Sequence, residues 1–409
     1  MSDFNALLAS GPLRIGLMTH SLNPRGGVVH TLELAHALLD AGHTVTVMAP
    51  ALPGQQFFRP VRCRTELVPV ADTPADMAEM VGSRIAAYTT HLRGLLDREH
   101  FDILHTHDGI GGNALANLQD GGWRGSFVRT VHHLDTFDSP QIQRWQLRGF
   151  KRARSVLCVS KLWCDVLRRE HNVQATEVHN GVDTTRYTAT PQPGDAEVAS
   201  RLGLQCHATG AGPMVLAVGG IEERKNTVRL LEAFVLLRKQ RPTAQLVVAG
   251  GVSLLNHDAY VQRFHALLAQ HGLTTGPHQP VVLTGGVRDT DMPALFRLAD
   301  VVAMPSTREG FGLVVLESLA SGTPVVVSHI APFTQYLDKN DCHWADPLSP
   351  TAIASALAAA LRAGKSPALA GIASRLSQRF SWHSSAQLHL NAYRRTLNHA
   401  VPDTLTCDV

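Results

Sequence analysis

Arg308-Glu309-Gly310-Phe311-Gly312-Leu313-Val314-Val315-Leu316-Glu317 sets two glutamates eight positions apart around a glycine-bearing turn and the start of an apolar helix. That helix, expected over Leu313–Ser321, carries Leu, Val and Ala on nearly every side, the pattern of an element buried all round. A carboxylate enclosed there is costly unless something pairs with it. Glu317 therefore calls for a hydroxyl or a cation, while Glu309 lies beside the backbone amides of a helix start, where anions bind. A half-exposed helix with Glu317 facing water, and glycines that only shape a turn, would account for the same residues without a ligand.

Outward from this stretch, short β-rich runs alternate with helical ones. In the first half the strand candidates are Leu13–Thr19, Thr44–Ala49, Glu66–Val70, Asp102–Thr106, Ser126–His132, Ser155–Val159 and Thr176–His179, with helices such as Val28–Ala41 and Asp76–Arg98 between them. Residues Thr188–Gly212, rich in Pro, Gly, Ala and Thr, break the pattern and read as an interdomain linker. The alternation restarts with strands at Met214–Val218, Gln245–Ala249, Val281–Thr284, Val301–Met304 and Val325–Ser328, and helices at Thr227–Arg238, Ala259–Gln270, Asp291–Leu298 and Leu313–Ser321. Strands separated by helical crossovers require parallel sheets. The expected fold is α/β, with two Rossmann-like, doubly wound parallel-sheet domains facing across a cleft: residues 1–187, the linker 188–212, and residues 213–380. Helices Thr351–Arg362 and Trp382–Leu397 complete the chain, and the segment 381–409 is long enough to return to the first domain. Such sheets bind ligands at the carboxyl ends of their strands.

At 409 residues the chain is long enough for two or three domains of ~150 residues. A formal charge of +3 does not imply nucleic acid as a partner. The six cysteines are scattered without a CxxC pair, and the 22 histidines show no HExxH-type ligand spacing, so no cofactor and no metal are expected. Neither a signal peptide over Met1–Leu13 nor an apolar run of spanning length is visible, so the expected location is cytoplasmic. Arg144, Arg148, Lys151, Arg152 and Arg154, near Trp145 and Phe150 on one helix, allow a peripheral membrane contact, though a solvated helix face explains them equally. Oligomeric state has no signal in the sequence.

Several segments could carry chemistry. Arg25-Gly26-Gly27 follows the first strand and opens a helix, so backbone can approach a ligand there. It is not a GxGxxG fingerprint, and Val47-Met48-Ala49 lacks the acidic residue a dinucleotide oxidoreductase needs. Gly219-Gly220 and Lys225 repeat the arrangement in the second half, with Lys225 as a compact point charge for phosphate and Arg224 beside it. His132 ends a strand, and alternation sends His132 and His133 to opposite faces, with Asp135 and Asp138 available to orient the ring. His107 and Asp108 end another strand as acceptor-side candidates, although Asp108 also suits a helix cap.

Taken in order, the strand–GlyGly–helix start, DILHTHD, TVHH, VSK, HNGVDTTRY, VGGIEERKNTVRLLEAF and ADVVAMPSTREGFGLVVLESLASGTPVVV resemble the retaining glycosyltransferases of family 4, which have the GT-B fold. The likeness runs from about Arg14 to Leu397 and is most specific in the E-x7-E element, Glu309 to Glu317. The resemblance implies a nucleotide diphosphate sugar as donor and a hydroxyl acceptor. It implies that Glu309 contacts donor-sugar hydroxyls and Glu317 the ribose, that the amides of Gly310, Phe311, Gly312 and Leu313 meet the diphosphate, and that Lys225 neutralises it. Gly26 and Gly27 would approach the same phosphates, His132 would assist near the anomeric centre, and Val287 would contact the base through backbone. With no DxD-type metal site read in the chain, amides and Lys225 would substitute for a divalent cation. One departure stands out: the family usually has Gly-Arg where this chain has Gly219-Gly220, leaving Arg224 or Arg288 as replacements. Two other functions share a donor site of this kind, a GT-B-fold nucleotide-sugar epimerase and a non-catalytic nucleotide-sugar-binding protein.

Overall fold

The computed structural model describes residues 11–71, 74, 76–205, 212–251 and 257–398. Most of the N-terminal stretch Met1–Leu13, Cys206, Cys407, Val252 and Ser253 therefore lie outside the described residues.

The chain divides into two compact units, residues 1–180 with 382–409, and residues 181–381. Unit 1 holds a seven-stranded parallel sheet of β1 (Arg14–Met18), β2 (Thr44–Ala51), β3 (Arg64–Pro69), β4 (Ile103–Thr106), β5 (Val128–Val131), β6 (Ser155–Cys158) and β7 (Ala175–Glu177), in the order β3-β2-β1-β4-β5-β6-β7. Unit 2 holds a six-stranded parallel sheet of β8 (Met214–Val218), β9 (Gln245–Ala249), β10 (Val281–Gly285), β11 (Val301–Met304), β12 (Val325–Ser328) and β13 (His343–Ala345), in the order β10-β9-β8-β11-β12-β13. In each sheet the strand order reverses beside the first strand, between β1 and β4 and between β8 and β11. That reversal opens a crevice at the carboxyl ends of those strands. The reason for the sheets is visible in the burial: β2, TVTVMAPA, is buried at seven of its eight positions, as a strand covered by helices on both faces must be.

Helix Trp382–Asn398 belongs to unit 1, where Tyr393 donates to or accepts from His105 Nδ1 across 2.7 Å and Ser385 Oγ donates to His179 O at 2.6 Å. Segment 188–212 differs from a plain linker. It contains helix Asp195–Leu202, whose Val198 and Ala199 are buried and whose Asp195 pairs with Arg297 at 2.6 Å. Its proline-rich opening masked the short apolar stripe that drives this packing.

The helix Leu313–Ala320 is not buried all round. Val315, Leu316, Ser318 and Leu319 are buried, whereas Leu313, Glu317 and Ala320 form a half-exposed stripe at i, i+4, i+7 spacing. Glu317 thus keeps access to solvent, and its charge acts on Arg186. The basic helix Pro140–Lys151 is also turned differently from a membrane-contacting one. Phe150 is fully buried, Trp145 packs on the core of unit 1, and Arg148 and Arg152 both pair with Asp120, at 2.7 and 2.8 Å. The aromatic residues that would enter a lipid surface are spent on the core. Among the described residues, no helix is long and apolar enough to cross a membrane.

Candidate active site

In unit 2 the switch point gathers most of the residues singled out above. The loop after β8 begins with Gly219 at φ +128° and Gly220 at φ +75°. A Cβ on Gly219 would lie 2.8 Å from Lys225 Cε, so the glycine lets the lysine stem cross the turn. A Cβ on Gly220 would meet Gly251 O at 2.9 Å, so this backbone does not admit a side chain where the family has arginine.

Lys225 Nζ lies 2.6 Å from Glu309 Oε1, and both groups are largely buried, at 12% and 7% exposure. Ser306 Oγ donates to the same oxygen at 3.0 Å, and Arg224 stands 3.6 Å from it while also pairing with Glu222 at 2.9 Å. Burial pushes the Glu309 carboxyl up, but Lys225 and Arg224 outweigh it and hold the group below the usual carboxylate range. Of the two substitutes for the missing arginine, Arg224 is the one at Glu309. Arg288 is exposed and turned to Asp291, with Nε 2.8 Å from Oδ2.

The loop from Glu309 to Leu313 is held from behind. Gly312 has φ +94° and a Cβ there would lie 2.5 Å from Phe333 Cε1. Phe311 stacks on Tyr336 with ring centroids 4.9 Å apart, and Tyr336 donates to Phe311 O at 3.1 Å. The helix that follows has no side-chain cap; Val315 N donates to Gly312 O at 3.0 Å, and the positive end of the helix lies at this turn. Asn226 was missed in the sequence, although an asparagine tolerates the left-handed conformation it adopts here (φ 62°, ψ 34°). Its Nδ2 donates to Pro305 O at 2.9 Å and Pro347 O at 2.6 Å, tying the loop after β11 to the one after β13 directly behind Lys225. Val287, following β10, lies at the same carboxyl end of the sheet.

A literal Asp-Thr-Asp occurs at residues 289–291. Its carboxylates serve arginines: Asp289 pairs with Arg186 at 2.7 Å, and Asp291 with Arg201 and Arg288 at 2.8 Å each.

In unit 1 the corresponding switch point lies between the ends of β1 and β4. Gly26 and Gly27 form the first turn of helix Gly26–Asp40; Gly26 faces open space, and a Cβ on Gly27 would sit 3.5 Å from His132 Cδ2. Asp135 pairs with His133 at 3.1 Å. Asp108 caps helix Gly109–Asp120 by accepting from Gly111 N at 2.8 Å. His107 is buried within a group of rings that spacing along the chain did not reveal: His30, His105, His107, His132 and His389. Burial keeps these rings neutral, lowering His30 to about 4 and His389 to about 3, and His105, His107 and His132 well below the ordinary histidine value.

That shift sets an acid limit. The unfolded chain takes up protons near pH 6.5 while the folded rings stay neutral, so the stabilisation is complete above pH ~6.5 and is lost as pH falls toward the folded values. Each ring contributes up to about 1.4 kcal/mol per pH unit across its window. Urea midpoints measured from pH 7 to pH 5 in chelator should therefore fall steeply. Equal midpoints across that range would show that the rings ionise without unfolding the protein.

Two doubly wound sheets, each with a glycine turn at its switch point, form the two-domain α/β architecture of the GT-B class. The profile described as Glycosyl transferases group 1 matches residues 208–375, and that described as Glycosyltransferase Family 4 matches residues 24–186. The chain belongs to the family 4, group 1 glycosyltransferases, and is an enzyme of the transferase class. It is 29% identical over 407 residues to D-inositol 3-phosphate glycosyltransferase of Salinispora tropica, covering 90% of this chain and 80% of that protein. It is 27% identical over 360 residues to phosphatidyl-myo-inositol mannosyltransferase of Mycolicibacterium smegmatis, covering 85% and 84%. Among solved structures it resembles sucrose-phosphate synthase from Thermosynechococcus elongatus, with TM-score 0.75, 21% identity and coverage of 94% and 99%. Anabaena Alr3699/HepE in complex with UDP and glucose gives TM-score 0.71, 18% identity and coverage of 93% and 98%. At these identities the structural likeness is one of fold.

Proposed function

We propose that the protein is a retaining glycosyltransferase that moves a hexosyl group from a nucleotide diphosphate sugar to a hydroxyl acceptor, without a metal on the departing diphosphate. The observation that carries this reading is the Lys225–Glu309 pair, 2.6 Å apart at the switch point of unit 2 and next to the uncapped start of helix Leu313–Ala320. Breaking a sugar–phosphate bond builds negative charge on the leaving group. A buried ammonium and fixed amide dipoles stabilise such charge without reorganising. Glu309, kept ionised by Lys225 and Arg224, is an acceptor for sugar hydroxyls, and half-exposed Glu317 one for ribose hydroxyls. The UDP and UDP-glucose bound by the structural neighbour HepE support a nucleotide sugar as donor.

Gly26, Gly27 and His132 are assigned to phosphate and sugar by the family resemblance, supported by their grouping at the switch point of unit 1. In the retaining step the leaving phosphate accepts the acceptor's proton as the new bond forms on the same face of the sugar, so no enzymic nucleophile is needed. The test is a panel of UDP-, GDP- and ADP-sugars, with nucleotide release followed with and without candidate acceptors and the product's anomeric configuration read by NMR. Acceptor-dependent release with retained configuration is expected. Binding without release would rule out transfer, and isomerised sugar formed without acceptor would favour an epimerase.

A further inference from the structure

The histidine group of unit 1 contains rings that hydrogen bonding does not explain. His30 Nδ1 faces Asn180 Oδ1 at 2.7 Å, which fixes the tautomer with the proton on Nδ1 and leaves Nε2 a lone-pair donor. That Nε2 is buried and unpartnered, as are both ring nitrogens of His107 and Nε2 of His132. His30 is 0% and His107 5% exposed. Buried nitrogens without partners are destabilising, so the three that converge, one from each ring, call for a common partner. The ring centroids of His30, His107 and His132 lie 4.8 to 5.6 Å apart, and one nitrogen from each falls within 4.8 Å of the other two.

We propose that His30, His107 and His132 form a three-imidazole site for a divalent transition metal, with Zn²⁺ as the best match. Imidazole suits Zn²⁺, and three histidines with an open fourth position is an established ligand set. A tetrahedral ion would hold the three nitrogens roughly 3.4 Å apart, so the rings must draw together by up to about 1.4 Å from the 4.8 Å within which they lie. Asn180 supplies the outer acceptor that orients a ligating histidine. His105 is excluded, since its two nitrogens are engaged by Tyr393 and Thr130 at 2.7 and 2.8 Å. Of the three rings, His132 feels the Arg129 charge through space, and Asp108 acts in turn on Arg129. His132 is shared with the donor reading, so metal binding is measured directly on the protein without donor or acceptor, and its failure is distinguishable from failure of that reading.

Chelator-treated protein titrated with Co²⁺ should show visible d–d absorption saturating at one equivalent, and Zn²⁺ should displace it. His107→Asn should abolish the band. Asn180→Ala keeps all three ligands and should weaken binding by roughly 10–100-fold. His100→Gln, at a ring 74% exposed, should leave it unchanged. Thermal unfolding with and without metal confirms that each variant folds, with the wild-type midpoint raised by metal and the His107→Asn midpoint not. Absence of a one-equivalent Co²⁺ band in wild type, or a band undiminished in both His107→Asn and Asn180→Ala, overturns the proposal.

Discussion

Lys225→Ala is expected to lower kcat/KM by roughly 10²–10³-fold, the loss found when one preorganised group facing developing charge is removed. Two effects combine. The ammonium no longer meets the departing phosphate, and Glu309, only 7% exposed, loses its nearest cation and keeps Arg224 at 3.6 Å. Removing one partner of a buried pair is destabilising by up to about 3–5 kcal/mol, and the remaining exposure of Lys225 and the presence of Arg224 place this case below that range. Stability and chemistry can be separated with Glu309→Gln. If the pair is chiefly structural, adding Glu309→Gln to Lys225→Ala should restore both the thermal midpoint and the rate. The donor-site account predicts that the midpoint recovers while the rate does not, because the phosphate still lacks its cation. Steady-state rates and thermal unfolding of the four proteins in the cycle decide between them.

Gly312→Ala should unfold unit 2 more readily and weaken donor binding together. The residue sits at φ +94°, where an added Cβ is strained by about 1–3 kcal/mol. That Cβ would also lie 2.5 Å from Phe333 Cε1 and 3.4 Å from Tyr336 Oη, in a stack that has no free space. Overpacking of this kind adds typically 1–3 kcal/mol. A combined loss of about 2–6 kcal/mol in urea denaturation is expected. Relief requires the loop to move, and that loop carries the amides of Gly310 to Leu313. A variant as stable as wild type with unchanged diphosphate affinity would show that the turn does not position the site.

The strands that build both switch points were legible because parallel strands covered on both faces leave long apolar runs, as at Val45-Thr46-Val47-Met48 and Val301-Val302-Ala303-Met304. β13, three residues at a sheet edge, has too little pattern to read. Helix Asp195–Leu202 was hidden by the prolines before it. Lys225 and Glu309 were each marked for the donor, yet their contact spans 84 residues of sequence and only folding brings it about. The supports of the site escaped for the same reason. Phe333 and Tyr336 look like ordinary core aromatics until Gly312 is placed against them. The apolar helix at Leu313 shows the opposite error: composition alone suggested complete burial, whereas its open stripe is the one that carries Glu317. His30, His107 and His132 come from three different elements, so no ligand spacing along the chain could announce them.

Calorimetric titration of UDP, GDP and ADP, each beside its monophosphate, into the wild type and Lys225→Ala tests the central claim most directly. At least one diphosphate should bind with one-to-one stoichiometry and more tightly than its monophosphate. The contribution of the β-phosphate, worth about 1.5–3 kcal/mol for a charge-assisted contact, should largely vanish in Lys225→Ala. Failure of all three diphosphates to bind, or an unchanged diphosphate preference in Lys225→Ala, would contradict a donor site built on Lys225, Glu309 and the amides at the start of helix Leu313–Ala320.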